Sequence, residues 1–348
     1  MNHKRKGLTR RIIVGVVFLG VIAAAVWADR VIYRLLIEPP PPPGWTVIRP
    51  PINVMTLEIQ GDTVWAGGMD GVCAIDIKTR TLTRTIESEP PLSYVKDILA
   101  DDTGSVWIAH FDGLSRWDGE RLVTYTTKDG LPDNRVNALL IDRQGSLWVG
   151  TWGGVAIIRD RDFSRIETIT TAQGLINNMV NVMLEDSRGG MWFGSHAAPA
   201  GGISLYRDGR WHYFTVREGL AHNDITSFLQ QTPDKIWVGT GYFERGGAVL
   251  FAPEAEAWRI DRVLTKKDGL AGWRVRTIFL DSAGDLWFGS ETDGVARLRD
   301  GDFSILSKRD GFPHQEITSI IEDEDKNLWF GTLGGVTVIE RAALSPAR

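Results

Sequence analysis

Most of the chain alternates apolar and polar residues in short runs that end in Gly, Asp or Asn, the pattern of half-buried β-strands joined by tight turns. One stretch, DGLPDNRVNALLIDRQGSLWVGTWGGVAIIRDRDFSRIETIT, shows the unit in full. It predicts four strands: a around Val136, Ala138 and Leu140, b from Leu147 to Thr151, c from Val155 to Arg159, and d from Phe163 to Ile169. Asp142 and Gly145 punctuate a from b, and Asp160 to Asp162 separates c from d. Gly153 and Gly154 suit a two-residue hairpin with positive φ at both positions.

The unit recurs. Trp65, Trp107, Trp148, Trp192, Trp237, Trp287 and Trp329 follow one another at intervals of 42, 41, 44, 45, 50 and 42 residues, a period expected of one supersecondary unit copied around a ring. Twelve residues before each Trp stands Val95, Val136, Val180, Ile225, Val275 or Ile317, with Val54 eleven before the first; β-branched residues suit an inner strand packed between neighbours. Six before the Trp stand Asp101, Asp142, Asp186, Asp281 and Asp323, with Gln231 the exception. These read as turn-forming acids bonded to nearby backbone amides. Each comes singly, whereas a hard cation needs six or more converging oxygens, so no metal site is read there.

Four strands and 41 to 50 residues per copy match a propeller blade. The expected fold is therefore all-β, a seven-bladed β-propeller, preceded by one N-terminal transmembrane helix. The last copy stops after strand c, at Val336 to Glu340, while Trp45, Thr46, Val47 and Ile48 precede the first strand a and resemble Trp211 to Phe214 and Trp258 to Ile260 in other outer strands. The ring is expected to close by a three-plus-one clasp, in which this N-terminal strand completes blade seven and hides its edge.

The expected transmembrane helix is the apolar run from Ile12 to Ala28, which follows Lys4, Arg5, Lys6, Arg10 and Arg11. As a helix it spans about 25 Å against a hydrocarbon thickness of about 30 Å. Basic residues before it and Asp29 after it place the N-terminus inside and the propeller outside. Val26 and Ala28 alternatively suit cleavage of an export signal. Arg30 and Arg34 can snorkel to headgroups, and Pro39 to Pro43 form a stiff spacer of about 15 Å. The expected organisation is a cytoplasmic basic segment (1–11), a signal anchor (12–28), a juxtamembrane and proline-rich spacer (29–43), the propeller (44–341) and a tail (342–348). This places a single-pass protein in the inner membrane with its propeller on the periplasmic or extracellular side; the alternative is export after signal cleavage.

Composition narrows the function. A net charge of −5 with no basic stripe argues against nucleic acid. The lone Cys73 has no disulfide partner or metal-ligand spacing and reads as a buried small apolar residue. No cofactor is implied.

The blade pattern DGLPxNxV(x)5D(x)2GxLWxGT(x)GGV is similar to the two-component regulator propeller repeat. The match covers Asp129 to Val155, Gln173 to Ile203, Glu218 to Ala248, Asp268 to Val295 and Asp310 to Val336, and more weakly Pro90 to Leu114 and Ile52 to Val72. The resemblance implies the extracytoplasmic sensor region of a bacterial membrane-bound histidine kinase, recognising an external ligand, often a carbohydrate. The sequence shows no kinase histidine box and no ATP-binding region. Signalling is therefore expected only through a partner, such as a membrane sensor kinase or another envelope protein.

In an antiparallel meander the b–c and d–a loops share one face. From the Trp to the second hairpin residue there are six residues in blades one, two, three and seven, ten in blades four and five, and seven in blade six. Variable loops on a rigid frame usually bind, so ligand contacts are expected on this face. The enlarged loops offer His196, Tyr242, Phe243, Arg245, Glu291 and Asp293, and their neighbours are Phe111, Trp152, His222, Trp273, Arg274 and His314. Rings beside charged and amide groups suit a carbohydrate or other polar ligand. A rival reading is an exported lyase-like enzyme using His196, His222 and Glu291 as acid and base. However, no nucleophile elbow, zinc-protease helix, phosphate loop or Cys–His pairing is present, and a non-catalytic binding propeller is expected. A third reading is an assembly scaffold working through the rim.

Overall fold

In the computed structural model, which describes residues 40–196, 199–254 and 257–344, the described strands pair into seven antiparallel four-stranded sheets. Blade three holds strands a to d at Val136–Ile141, Leu147–Thr151, Gly154–Ile158 and Ile166–Ile169, hydrogen-bonded in that order. Strands b and c are buried along their whole length because neighbouring blades cover both faces, whereas strand d forms the exposed rim. Strand d begins at Ile166 rather than Phe163, because Arg159–Arg161 forms a 3-10 turn with φ of 50° at Asp160. Phe163 stacks instead on Tyr125 of blade two.

The joints between blades follow from the Trp-x-Gly signature. The β-branched residues Val54, Val95, Val136, Val180, Ile225, Val275 and Ile317 are at most 1% exposed. Each of six packs against the glycine two past the Trp of the preceding blade. A Cβ on Gly67, Gly194 or Gly331 would stand 2.6, 2.5 and 3.1 Å from Val95 Cγ1, Ile225 Cγ2 and Val54 Cγ1. Glycine thus leaves a slot for the neighbour's side chain. The Gly331–Val54 joint crosses the seam of the ring, and in blade two the slot position holds Ala109.

The acid six residues before each Trp serves two ends. Asp142 Oδ1 accepts from the backbone N–H of Gln144 (3.0 Å) and Ser146 (2.7 Å), as expected, while Oδ2 accepts the Trp148 indole N–H at 2.7 Å. The same indole bond joins Trp107 to Asp101, Trp192 to Asp186, Trp287 to Asp281 and Trp329 to Asp323 at 2.8 to 3.0 Å. Gln231 and Gln60 replace the acid for Trp237 and Trp65, each at 3.0 Å. One side chain therefore closes the a–b turn and satisfies the donor of a buried ring.

The ring closes as expected: Trp45–Ile48 pairs with Gly335–Ile339, Trp45 opposite Ile339 and Ile48 opposite Val336. Trp45 also meets Phe312 edge-on, with centroids 5.1 Å apart. Cys73 is buried, and burial pushes its thiol up to about 12.

Two local expectations need correction. The b–c turn of blade three consists of Trp152 and Gly153, and only Gly154 has positive φ, at 133°. Gly153 is required by close approach, since a Cβ there would stand 2.7 Å from Pro132 O. In blade five the extra residues form no loop. Lys235–Tyr242 and Arg245–Glu254 pair through to Tyr242 and Arg245, making a long hairpin that turns at Phe243 and Glu244. Glycines 241, 246 and 247, with φ of 139° to 156°, let this ribbon extend. The expected membrane segment (12–28) lies outside the described residues. Among the described residues no helix is long and apolar enough to cross a membrane.

Candidate functional site

The candidate site arises from an irregularity in strand a. In blades one and three to seven, pairing between strands a and b skips one residue just past the β-branched position. Such a bulge re-aims the skipped side chain. Here those side chains are Met55, Asn137, Asn181, Thr226, Arg276 and Thr318, and all line the mouth of the central channel, with Lys96 at the corresponding position of blade two. A second ring comes from the b–c turns: Met69, Phe111, Trp152, His196, Tyr242, Glu291 and Leu333. Together with Tyr94, Arg274 and Glu316 these enclose a cavity of about 480 Å³.

Four members of the first ring are also fasteners. Asn137 Nδ2 donates to Val180 O (3.2 Å), Asn181 Nδ2 to Ile225 O (2.8 Å), Thr226 Oγ1 to Val275 O, and Thr318 Oγ1 to Val54 O (2.8 Å). Each tethers the next blade at the residue that fills the glycine slot. Met55, Lys96 and Arg276 make no such bond and depart from the repeat.

The mouth has two unlike walls. One arc, from blade seven through blade three, presents Leu333, Met55, Met69, Tyr94, Phe111 and Trp152, together with the first-ring polar residues Thr318, Lys96 and Asn137. Tyr94 stacks on Phe111 at 5.2 Å, and Phe111 meets Trp152 edge-on at 5.6 Å. The Arg135 guanidinium lies 4.3 Å from the Trp152 ring centre and is held by Asp133 in bonds of 2.9 and 2.6 Å. The other arc is polar. Arg274 pairs with Glu291 at 2.8 Å and Arg276 with Glu316 at 2.7 Å, while His196 Nδ1 is 2.8 Å from Asp224 Oδ1. Burial lowers the Arg276 pKa. Burial first, and then the charges of Arg276 and Arg274, lower Lys96 to about 8.

Of the residues named from sequence, Phe111, Trp152, His196, Tyr242, Arg274 and Glu291 line this cavity. The others lie elsewhere. Phe243 sits at the hairpin tip, 73% exposed, and Arg245 is exposed opposite Tyr242. Asp293 pairs with Lys266 at 2.9 Å, and Trp273 is half-buried beside Arg274. His222 and His314 brace turns, their Nδ1 atoms accepting the backbone N–H of Asp224 and Glu316 at 3.0 Å. Burial lowers the His222 pKa. The sequence reading missed the first ring altogether, along with Met69, Tyr94, Glu316 and Leu333. A signal was available, because six first-ring residues stand eleven before the Trp.

Three segments, 130–153, 174–197 and 311–334, match the profile of the two component regulator propeller. These carry the d–a turn, strands a and b and the start of the b–c loop in blades three, four and seven. These three segments are thus similar to the two component regulator propeller repeat. Among solved structures it is similar to the extracellular domain of the hybrid two component system BT3049 from B. thetaiotaomicron, at 21% identity and a TM-score of 0.73, covering 88% of this chain and 42% of that one. The extracellular domain of BT4673 from the same organism matches at 15% identity and a TM-score of 0.69, covering 85% and 39%. The chain therefore spans about two fifths of those domains. Virginiamycin B lyase from Staphylococcus aureus matches at 14% identity and a TM-score of 0.64, covering 85% and 98%. At these identities the likeness establishes a shared propeller fold. No curated protein matches the sequence.

Proposed function

We propose that this propeller is a non-catalytic recognition module displayed outside the cytoplasm. It is held to the inner membrane by the 12–28 segment, binds a carbohydrate or other polar organic ligand at the channel mouth, and signals through a partner such as a membrane sensor kinase. The observation that carries the reading is the unlike lining of the mouth: most of its aromatic and apolar side chains fall in blades seven through three and its paired charges in blades four through seven, with amides and hydroxyls in both arcs. Rings can take the apolar faces of a sugar while the polar arc orients its hydroxyls. The repeat and the likeness to extracellular sensor domains support the placement and the signalling role.

Screening the full chain against oligosaccharides by thermal shift and calorimetry tests this reading. Trp152→Ala or Tyr242→Ala is expected to weaken a hit roughly tenfold without changing the fold. A hit insensitive to both substitutions refutes the mouth as the binding site. A second reading, a lyase-like enzyme, draws on His196, whose Nδ1 is held by buried Asp224 at 2.8 Å in the cavity wall. It requires ligand turnover that is lost in His196→Ala.

A further inference from the structure

Seven side chains occupy equivalent positions around the channel, and four of them fasten one blade to the next. Lys96 does not. Its ammonium makes no hydrogen bond or ion pair among the described residues, although it lines the cavity. The other cations of the wall are matched, Arg274 by Glu291 and Arg276 by Glu316. The carboxylate that favours the Lys96 charge is Glu316, already committed to Arg276, while Arg276 and Arg274 repel it. Arg274 Nε, by contrast with its ion-paired Nη1, is buried without an acceptor. Lys96 is half-buried, so its ammonium has given up part of its hydration without gaining a counter-charge, and an anionic group of a ligand can supply one.

We propose that Lys96 receives a carboxylate of the ligand, so that the mouth selects an acidic saccharide whose ring lies on the Phe111 and Trp152 wall. The inference rests on the channel mouth being the ligand site. Lys96 shares blade two with Phe111, and Trp152 stands on the adjoining blade three, so one sugar acid can engage all three. A charge-assisted hydrogen bond in such a site favours the acid over a neutral analogue by about tenfold or more. The free Lys96 titrates at about 8. The acid binds the protonated form, so its affinity is full below that pH and falls as pH rises through it. A neutral ligand lacks this dependence.

The test uses oligogalacturonides and their methyl esters on the full chain, by calorimetry between pH 7 and 9, with Lys96→Met as the variant. Met55 already fills the same ring position in blade one, so the frame accepts methionine there. The expected result is a preference of at least tenfold for the acid at pH 7, lost in Lys96→Met and eroded toward pH 9. Equal binding of acid and ester, with Trp152→Ala weakening both, overturns the carboxylate assignment and leaves the recognition site standing. NMR of isotopically labelled lysine supplies an independent readout: the Lys96 titration is expected to move upward when galacturonate is added. Failure of either saccharide to bind, with no movement of that titration, overturns the assignment as well.

Discussion

Gly194→Ala adds one methyl group to the joint between blades four and five. Gly194 lies two past Trp192 on strand b, with no positive φ, so alanine meets no backbone strain. The substitution on its own would gain about 0.4–1 kcal/mol through the unfolded chain. Against this, the new Cβ would stand 2.5 Å from Ile225 Cγ2 and 2.8 Å from both Ile225 Cβ and Val182 Cγ1. Ile225 cannot turn aside readily: its χ1 is stiff, it is fully buried, and its carbonyl is tied to Asn181. Overpacking of this kind costs about 1–3 kcal/mol, and contact with a Cβ as well as a methyl places it at the upper end. The expected net destabilisation is about 2 kcal/mol, read from the urea midpoint by tryptophan fluorescence and circular dichroism. Ile225→Ala alone is expected to cost about 2–5 kcal/mol, but in the double variant the added methyl enters the vacated space, so the pair costs less than the sum by about 1 kcal/mol. A neutral Gly194→Ala, or additivity within about 0.5 kcal/mol, refutes the slot as the reason for glycine.

Two further outcomes follow from buried carboxylates. Asp186→Ala strips the acceptor from the Trp192 indole and from the N–H groups of Arg188 and Gly190. The expected loss is about 2–4 kcal/mol in chemical unfolding, and a change within 0.5 kcal/mol, roughly the scatter of neutral surface substitutions, contradicts the account. Asp97 is pushed up to about 7, first by burial and then by nearby Glu58, against the bonds it accepts from Leu139 and Ile98. Its folded pKa lies above the unfolded value near 4, so its relative stabilisation is present below pH 4 and lost as pH rises through 7. Asp97→Asn, which does not titrate, is therefore expected to gain melting temperature relative to wild type between pH 5 and 7.5; a constant difference defeats the assignment.

Blade number, strand order and the closing strand were legible because each rests on period and alternation, which the chain states openly. The Trp-to-Asp bond was half legible. The spacing of six was visible, but two roles on one carboxylate emerge only when strands a and b are paired. The first channel ring was hidden for a sharper reason. Asn137 sits in an alternating strand, where parity assigns it a sheet face; the bulge between Val136 and Ala138 turns it to the channel. Loop length misled in blade five, since residues counted as a loop pair as strand up to Tyr242 and Arg245. Histidines 222 and 314 looked chemical by type, yet each spends Nδ1 on a backbone amide.

The offset ring around the channel separates frame from message. Asp, Trp, Gly and the β-branched residue write the architecture in most repeats, and of the seven first-ring residues facing the channel four share that duty and three do not. Two such positions per blade, repeated seven times, form an alphabet that substitution can rewrite while the joints stay fixed. Asn137, Asn181, Thr226 and Thr318 are the letters tied to the frame, and Met55, Lys96 and Arg276 are the free ones. Divergence between propellers of this kind is then expected to concentrate at the free letters, where substitution leaves the joints between blades intact.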